Sequence, residues 1–261
     1  MKTDMNGRRH RGLRAKKRKR IIGITAIVTV LCAIAVLLSF TNRSTGVGRT
    51  DTYESGSASL VYSDPERIPD YSGQDYVILN DGKPCFGEWD LENISGEHYS
   101  DLDDLGRCGA AIAMLDRTMR PEGERGEIGH IKPSGWNQEK YEGIVASKPP
   151  YLYNRCHLIA FALTGQNANE RNLITGTRCM NVTTMLPWEE KVMRYLDDSD
   201  DHVLYRVTPY FRGSELLARG DEMEAYSVED KGESLCFHVF IYNVQPGIEL
   251  DYATGESWPD K

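Results

Sequence analysis

One histidine followed by two asparagines and a glutamate forms the group of residues in this chain that could do chemistry. The four are His157, Asn172, Asn181 and Glu189. A neutral imidazole can take a proton from water near pH 7. An amide oxygen is a hard ligand that suits Mg²⁺, which keeps most of its waters and binds phosphate oxygens directly. Arg155, two residues before the histidine, could neutralise charge on a phosphate. The set suits the attack of water on a phosphodiester.

The residues around this histidine resemble those of the DNA/RNA non-specific endonucleases of the ββα-metal (His-Me finger) type, and among these the DNA-entry nuclease branch. That family carries an Asp-Arg-Gly-His motif, a strand with an Asn-Leu-Ile run, and a helix with a metal-binding asparagine and a glutamate eight positions after it. Here residues 154–157 read Asn-Arg-Cys-His, the strand begins at Asn172, and Glu189 follows Asn181 by eight positions.

The resemblance also includes the segments 105–109, 131–136 and 242–247, so it covers most of residues 75–255. It implies an α+β fold in which an antiparallel sheet core carries a strand-loop-strand-helix catalytic motif. The central block is the specific part of the match, because a histidine-to-asparagine spacing alone occurs in many proteins.

The resemblance implies a role for each residue of the central block. His157 is expected to act as the general base, Asn181 as the direct Mg²⁺ ligand, and Asn172 as a residue that holds the geometry of the site through His157 or a neighbouring loop. Glu189 is expected to bond metal-bound waters, and Arg155 to contact the scissile phosphate. Three simpler interpretations stay open: a turn-capping role for Asn172, a helix-dipole role for Glu189, and a structural ion pair for Arg155.

Four further side chains are weaker candidates for binding the substrate. Arg125, Arg178 and Lys191 could contact phosphates, although solvated surface charge is the simpler interpretation of each. Trp136 could stack on a base, and a core position after the turn at 133–135 is the alternative.

Two residues depart from the family motif: Asn154 replaces the aspartate and Cys156 replaces the glycine. A neutral amide orients an imidazole less strongly than a carboxylate does, so the contacts of His157 are expected to differ. Cys156 and Cys179 are expected to be small buried thiols, and a disulfide between them in an oxidising exterior is the alternative. The cysteine spacings contain no CxxC pair, which argues against a zinc cluster.

The beginning of the chain predicts a membrane anchor. Residues 1–20 hold ten Lys and Arg side chains against one acid, and residues 21–40 hold no charged side chain. About 20 apolar residues are enough to cross a bilayer, and a basic flank on the cytoplasmic side places the rest of the chain outside the cell. We therefore expect a cytoplasmic tail over 1–20, an uncleaved transmembrane signal anchor over 21–40, a flexible stalk over 41–67 and one globular domain over 68–261. A cleaved signal peptide, and hence secretion, is the alternative.

Charge is unevenly distributed along the predicted exterior part. Residues 41–104 hold 4 basic and 14 acidic side chains, and residues 195–261 hold 5 and 15. Residues 105–194, which contain the motif, hold 12 and 9. The acidic total argues against a general nucleic-acid binder, whereas the central part could form a cationic cleft for a phosphate backbone.

Hydrophobic patterns place the motif within an antiparallel framework. Strands are predicted at 76–79, 108–115, 151–153, 172–175, 202–208, 222–228 and 235–244. The sequence Asn80-Asp81-Gly82 after the first of these predicts a hairpin turn. Thr177 suits a helix N-cap, and Pro187 suits the start of a helix over 188–196.

Two functions follow as hypotheses. The first is an extracellular, membrane-anchored endonuclease that uses one Mg²⁺ (with Mn²⁺ as a substitute) to hydrolyse DNA, with RNA as a second candidate substrate. The alternative, motivated by Asn154 and Cys156, is a non-catalytic surface protein that binds nucleic acid on a degenerate nuclease fold.

Overall fold

The computed structural model describes residues 68–261. The predicted tail, anchor and stalk, at 1–20, 21–40 and 41–67, lie outside the described residues. Among residues 68–261, no helix has both the length and the apolar character needed to span a bilayer.

A six-stranded antiparallel sheet forms the centre of the domain. Its strands are β1 (Tyr76–Ile78), β2 (Gly96–Tyr99), β3 (Ala111–Leu115), β6 (Val203–Tyr210), β7 (Gly220–Ser227) and β8 (Cys236–Tyr242). Their order in the sheet is β1-β8-β7-β6-β3-β2. A short helix, α1 (Glu88–Asn93), precedes β2.

The catalytic-type motif is a separate hairpin followed by a helix. β4 (Tyr153–His157) pairs with β5 (Leu173–Thr177) in a two-stranded sheet. In the sequence, a short helix, α2 (Phe161–Thr164), connects these two paired strands. A π-helical turn (Met180–Met185) leads into α3 (Leu186–Asp198). A second small sheet, of β9 (Ile248–Leu250) and β10 (Ser257–Pro259), lies near the end of the chain.

Alternation along the strands gives the large sheet two buried faces. Tyr205, Met223 and Val239 belong to the main hydrophobic core, which also contains Cys156 and Met180 of the motif. The residues that alternate with these along β6, β7 and β8 have their side chains on the opposite face of the sheet. The motif therefore packs on one face of the sheet by apolar contact.

Two amide side chains just after β8 also hold the motif on the sheet. Asn243 is fully buried; its Oδ1 accepts from the Thr177 N–H at 2.9 Å, and its Nδ2 donates to the Thr175 and Ala218 carbonyls, each at 3.0 Å. Gln245 Oε1 accepts from the Cys179 N–H at 3.1 Å. We call Asn243 and Gln245 the amide bracket.

The predicted α+β class is confirmed, and most strands lie within two or three residues of their expected bounds. Thr177 is the predicted cap, since its Oγ1 accepts from the Met180 N–H at 3.1 Å. The predicted hairpin after β1 is wrong. Asn80 and Asp81 do adopt positive φ angles, but β1 pairs with the distant strand β8, and the chain passes through a 3₁₀ turn towards α1.

Candidate active site

His157 lies at the end of β4, where the hairpin opens into the loop that carries α2. It pairs with Leu173, the first residue of β5. Its side chain is only 6% exposed. The position at a strand end holds the imidazole in place through the backbone.

The two ring nitrogens of His157 have different partners. Arg125 donates an Nη2–H to Nδ1 at 2.8 Å, and the carbonyl oxygen of Asn167 lies 3.0 Å from Nε2. A guanidinium can only donate and a carbonyl can only accept. Nε2 therefore carries the proton, and Nδ1 holds the lone pair that could accept a proton from water.

The same surroundings keep His157 neutral. Burial lowers the pKa of His157 to about 4, and the positive charge of Arg125 acts in the same direction. The imidazole is therefore uncharged at pH 7, which is the protonation state that a general base requires.

Asn172 fixes the loop that follows His157. It is fully buried, with Oδ1 accepting from the Ile159 N–H at 2.8 Å and Nδ2 donating to the Ile159 carbonyl at 2.9 Å. Of the contacts expected for Asn172, the structure contains the one to a neighbouring loop. Both hydrogen bonds end on a backbone group two residues beyond the histidine.

Asn181 lies in the π-helical turn, on the wall of a cleft beside the hairpin. Such turns occur often at functional sites. Its Oδ1 accepts from the Cys156 thiol at 3.0 Å. An S–H group is a weak donor and a carbonyl oxygen has two lone pairs, so this oxygen keeps a lone pair for a cation.

Glu189 lies in the first turn of α3 and is 9% exposed. Burial raises the pKa of its carboxyl to about 7, against the opposing positive charge of Arg125. Within residues 68–261 no side-chain or backbone donor bonds to this carboxylate. A nearly buried carboxylate without a protein donor, together with the amide oxygen of Asn181, fits a hard divalent cation and its waters.

The cleft beside Asn181 has a volume of about 600 Å³. None of the lining residues within the described part of the chain is acidic. The walls carry three arginines and three aromatic residues: Arg125, Arg155, Arg178, Trp136, Tyr151 and Tyr153. Guanidinium groups and aromatic faces suit a polyanion that also carries flat bases.

Arg155 ties β4 to the segment before it. Its Nε and Nη2 donate to the carbonyls of Ile131 and Gly129, and its guanidinium lies 4.1 Å from the centre of the Trp136 ring. These contacts are to backbone and an aromatic ring and differ from the ion pair considered as an alternative. The expected phosphate contact of Arg155 stays a prediction, and Arg125 is the arginine that contacts His157.

The weaker candidates divide into two groups. Arg178 and Trp136 line the cleft, and the buried Nε of Arg178 has no hydrogen-bond partner within the described residues. Lys191 lies outside this cleft, with its Nζ 3.5 Å from the centre of the Trp188 ring. The structure therefore does not bring Lys191 together with His157.

Residues that depart from the family motif take unexpected positions. The side chain of Asn154 lines the cleft, and its buried Nδ2 has no partner within the described residues.

His157 is oriented by the Asn167 carbonyl, which the sequence analysis missed. The only signal for this contact was a polar loop ten residues after the histidine. Cys156 and Cys179 are separate buried thiols, as expected, and the alternative of a disulfide between them is wrong.

A hairpin ending in a buried histidine, followed by a helix with an asparagine facing an arginine-lined cleft, defines a ββα nuclease type of site. Residues 90–229 match the DNA/RNA non-specific endonuclease family. The chain belongs to the DNA/RNA non-specific endonuclease family.

Solved nucleases have the same overall fold. NucA from Streptococcus agalactiae with a bound magnesium ion is 28% identical, with a TM-score of 0.61 over 70% of this chain and 87% of that one. The Sda1 nuclease with a bound zinc ion is 27% identical, with a TM-score of 0.60 over 71% and 97%.

A deoxyribonuclease of Streptococcus dysgalactiae subsp. equisimilis is 32% identical over 110 residues, or 40% of this chain. The matched part is 32% of that protein, so the chain spans about a third of the length of this curated relative.

Proposed function

We propose that this chain is a metal-dependent endonuclease that hydrolyses the phosphodiester bonds of DNA. The observation that carries the proposal is a neutral His157 whose Nδ1 lone pair is held by Arg125 at the arginine-lined cleft. Membership of a nuclease family supports it.

His157 takes the proton of the attacking water at Nδ1, while the Asn167 carbonyl keeps the other ring nitrogen protonated. Arg125 is exposed and can exchange its contact with the imidazole for a phosphate oxygen. Pairing of Arg125 with a phosphate frees the lone pair of His157. It also offsets the charge that lowers the pKa of His157, which makes the imidazole a stronger base.

Asn181 would hold the divalent cation directly, and Glu189 would hold it through bound waters. When bound, the cation supplies positive charge to a phosphate oxygen and to the leaving oxygen. Oxygen donors favour Mg²⁺, and Mn²⁺ suits the same set. Arg125 contacts the additional negative charge of the transition state, with Arg155 and Arg178 as further candidates on the cleft wall.

DNA is the primary substrate in this proposal, and RNA is a second. Arginine contacts to phosphates and stacking on Trp136 carry little base information, so cleavage is expected to be largely independent of sequence. The same chemistry applies to both backbones, and a comparison of single-stranded and double-stranded DNA and RNA would rank them.

The uncharged segment 21–40 after a basic tail supports anchoring in the cell membrane, with the nuclease domain outside the cell. Protease added to intact cells should then degrade the nuclease domain while a cytoplasmic marker protein survives. Recovery of the domain in the medium would instead indicate cleavage of the anchor.

The decisive experiment compares plasmid cleavage by the full-length protein and its His157→Ala variant in Mg²⁺. Loss of a general base should lower the rate by about 10²- to 10⁴-fold, and EDTA should abolish cleavage. His130→Ala changes an exposed histidine outside the cleft and serves as the matched control.

Equal cleavage by the wild type and His157→Ala would contradict the proposal. DNA binding that persists in EDTA without any cleavage would favour the non-catalytic binding protein instead.

A further inference from the structure

The face of the sheet opposite the motif carries a row of buried charged side chains. Arg206, Glu224 and His238 are cross-strand neighbours on β6, β7 and β8. They are 2%, 1% and 3% exposed. Charged side chains rarely lie in a protein core, because burying a charge costs free energy unless specific partners compensate it.

His238 is held at both ring nitrogens. Nε2 donates to the carboxylate of Glu222, and Nδ1 donates to the Lys83 carbonyl at 2.9 Å. Burial by itself lowers the pKa of His238, but the hydrogen bond to Glu222 and the charges of Glu224 and Glu222 raise it overall. A carboxylate and a carbonyl oxygen can only accept, so both ring nitrogens carry protons in this arrangement.

Cys85 reaches the row from the segment before α1. Its Sγ lies 3.9 Å from Nδ1 of His238, and its backbone N–H donates to Glu224 Oε1 at 2.7 Å. The other oxygen of Glu224 accepts from Arg206 Nε at 2.6 Å. Cys85 is exposed, which leaves a path from solvent to this group.

We propose that Cys85, Glu224 and His238 bind a divalent transition metal of the zinc type, at a site separate from the nuclease cleft. One ligand atom from each residue lies within 4.8 Å of the other two. Thiolate and imidazole ligands select zinc-like ions over Mg²⁺. The exposed side of Cys85 leaves a fourth position for water.

The rest of the row matches the needs of such a site. A metal-bound imidazole usually donates its other N–H to a carboxylate, and Nε2 of His238 already donates to Glu222. Arg206 compensates the charge of Glu224.

Metal binding would also preserve the buried charge. One proton leaves the Cys85 thiol and one leaves Nδ1 of His238. Of the two positive charges on the metal, one replaces the charge lost from the imidazolium and the other is neutralised by the new thiolate. The net charge of the group is therefore the same before and after metal binding. The Lys83 carbonyl loses its hydrogen bond from the imidazole and accepts one from water instead.

Cobalt binding to the full-length protein tests the site, because a thiolate bound to Co²⁺ absorbs in the near ultraviolet and an oxygen ligand does not. The band is expected in the wild type and in Asn181→Ala, which alters the nuclease cleft. Cys85→Ser should abolish it. Cys236→Ser, an exposed thiol on the same face, is the matched control and should keep it.

Glu222→Gln provides a second test that a purely structural role would not predict. The band should persist, but Co²⁺ should bind about 10- to 100-fold more weakly, as is usual when the carboxylate partner of a metal-bound histidine is lost. Circular dichroism confirms that each variant is folded. A wild type without the band, a band that survives in Cys85→Ser, or one lost in Cys236→Ser would overturn the proposal.

Discussion

At the scale of single residues, the carbonyl of Asn167 determines which nitrogen of His157 is basic. The nitrogen facing it must carry a proton, so the lone pair is at Nδ1, beside Arg125. Positive charge next to that lone pair disfavours protonation. The acid-base behaviour of the histidine therefore depends on an arginine 32 residues earlier in the chain.

Replacement of Arg125 by Gln should raise the pKa of His157, since the charge that opposes protonation is lost. The imidazole resonances of His157, followed by NMR as pH is lowered, should titrate at a higher pH in the variant than in the wild type, where the pKa is about 4. Arg178→Gln also changes a cleft arginine but has no hydrogen bond to the imidazole, so its titration should match the wild type. An unchanged pKa in Arg125→Gln would show that burial alone lowers it.

The sequence pointed to the candidate site residues that lie in one continuous block. His157, Asn172, Asn181 and Glu189 have fixed spacings within a hairpin and a helix, so their resemblance to the family motif was sufficient to choose them. Arg125 was only a weak candidate, because its contact with His157 depends on the path of a long loop. The proposed metal site of Cys85, Glu224 and His238 had no signal in the sequence, since the register of two strands brings Glu224 beside His238 and a separate segment supplies Cys85.

At the scale of elements, the hairpin of β4 and β5 is a two-stranded sheet that, within residues 68–261, shares no strand pairing with the large sheet. Two strands alone are marginally stable in water. Apolar packing and the amide bracket hold the hairpin instead. The C-terminal run at 242–247 was part of the family resemblance, but its structural role depends on a tertiary contact that sequence patterns do not specify.

Removal of the Asn243 side chain should loosen this attachment. Asn243→Ala leaves the Thr177 N–H and the Thr175 and Ala218 carbonyls without their partner, which should lower the free energy of unfolding by about 3 kcal/mol. Asn137→Ala, which removes one exposed hydrogen bond to Thr254, should cost less than about 1 kcal/mol. Urea unfolding measures both, and similar losses would argue against the bracket.

At the scale of the whole molecule, the central net-positive part of the sequence supplies all three arginines of the cleft. The prediction of a cationic cleft in an acidic protein is therefore confirmed. The opposite electrostatic condition occurs beneath the motif, where Asp221 is fully buried and neither of its carboxylate oxygens has a partner within residues 68–261. Burial raises the pKa of Asp221 to about 8, and the charge of Glu189 adds to the effect.

Asp221 should make the stability of the protein fall as pH rises. The folded state keeps a proton up to about pH 8 that the unfolded state loses near its usual value of 3.8, so folding is progressively weakened between these pH values and no further above them. Asp221→Asn cannot ionise, so its melting temperature should depend less on pH and exceed that of the wild type at pH 8 to 9.

Asp198→Asn, which changes an exposed carboxylate at the end of α3, is the control and should retain the wild-type pH dependence. The same slope in Asp221→Asn as in the wild type would mean that other groups cause the effect.

The amide bracket has a consequence for the order in which the protein becomes active. Asn243 and Gln245 follow Asn181 by more than 60 residues, so a growing chain exposes His157 and Asn181 well before the residues that hold them on the sheet have been synthesised. The site can assemble only after nearly the whole domain has left the ribosome. In the exported nuclease that we propose, late assembly would keep the site inactive while the chain is still near the nucleic acids of the cell that makes it.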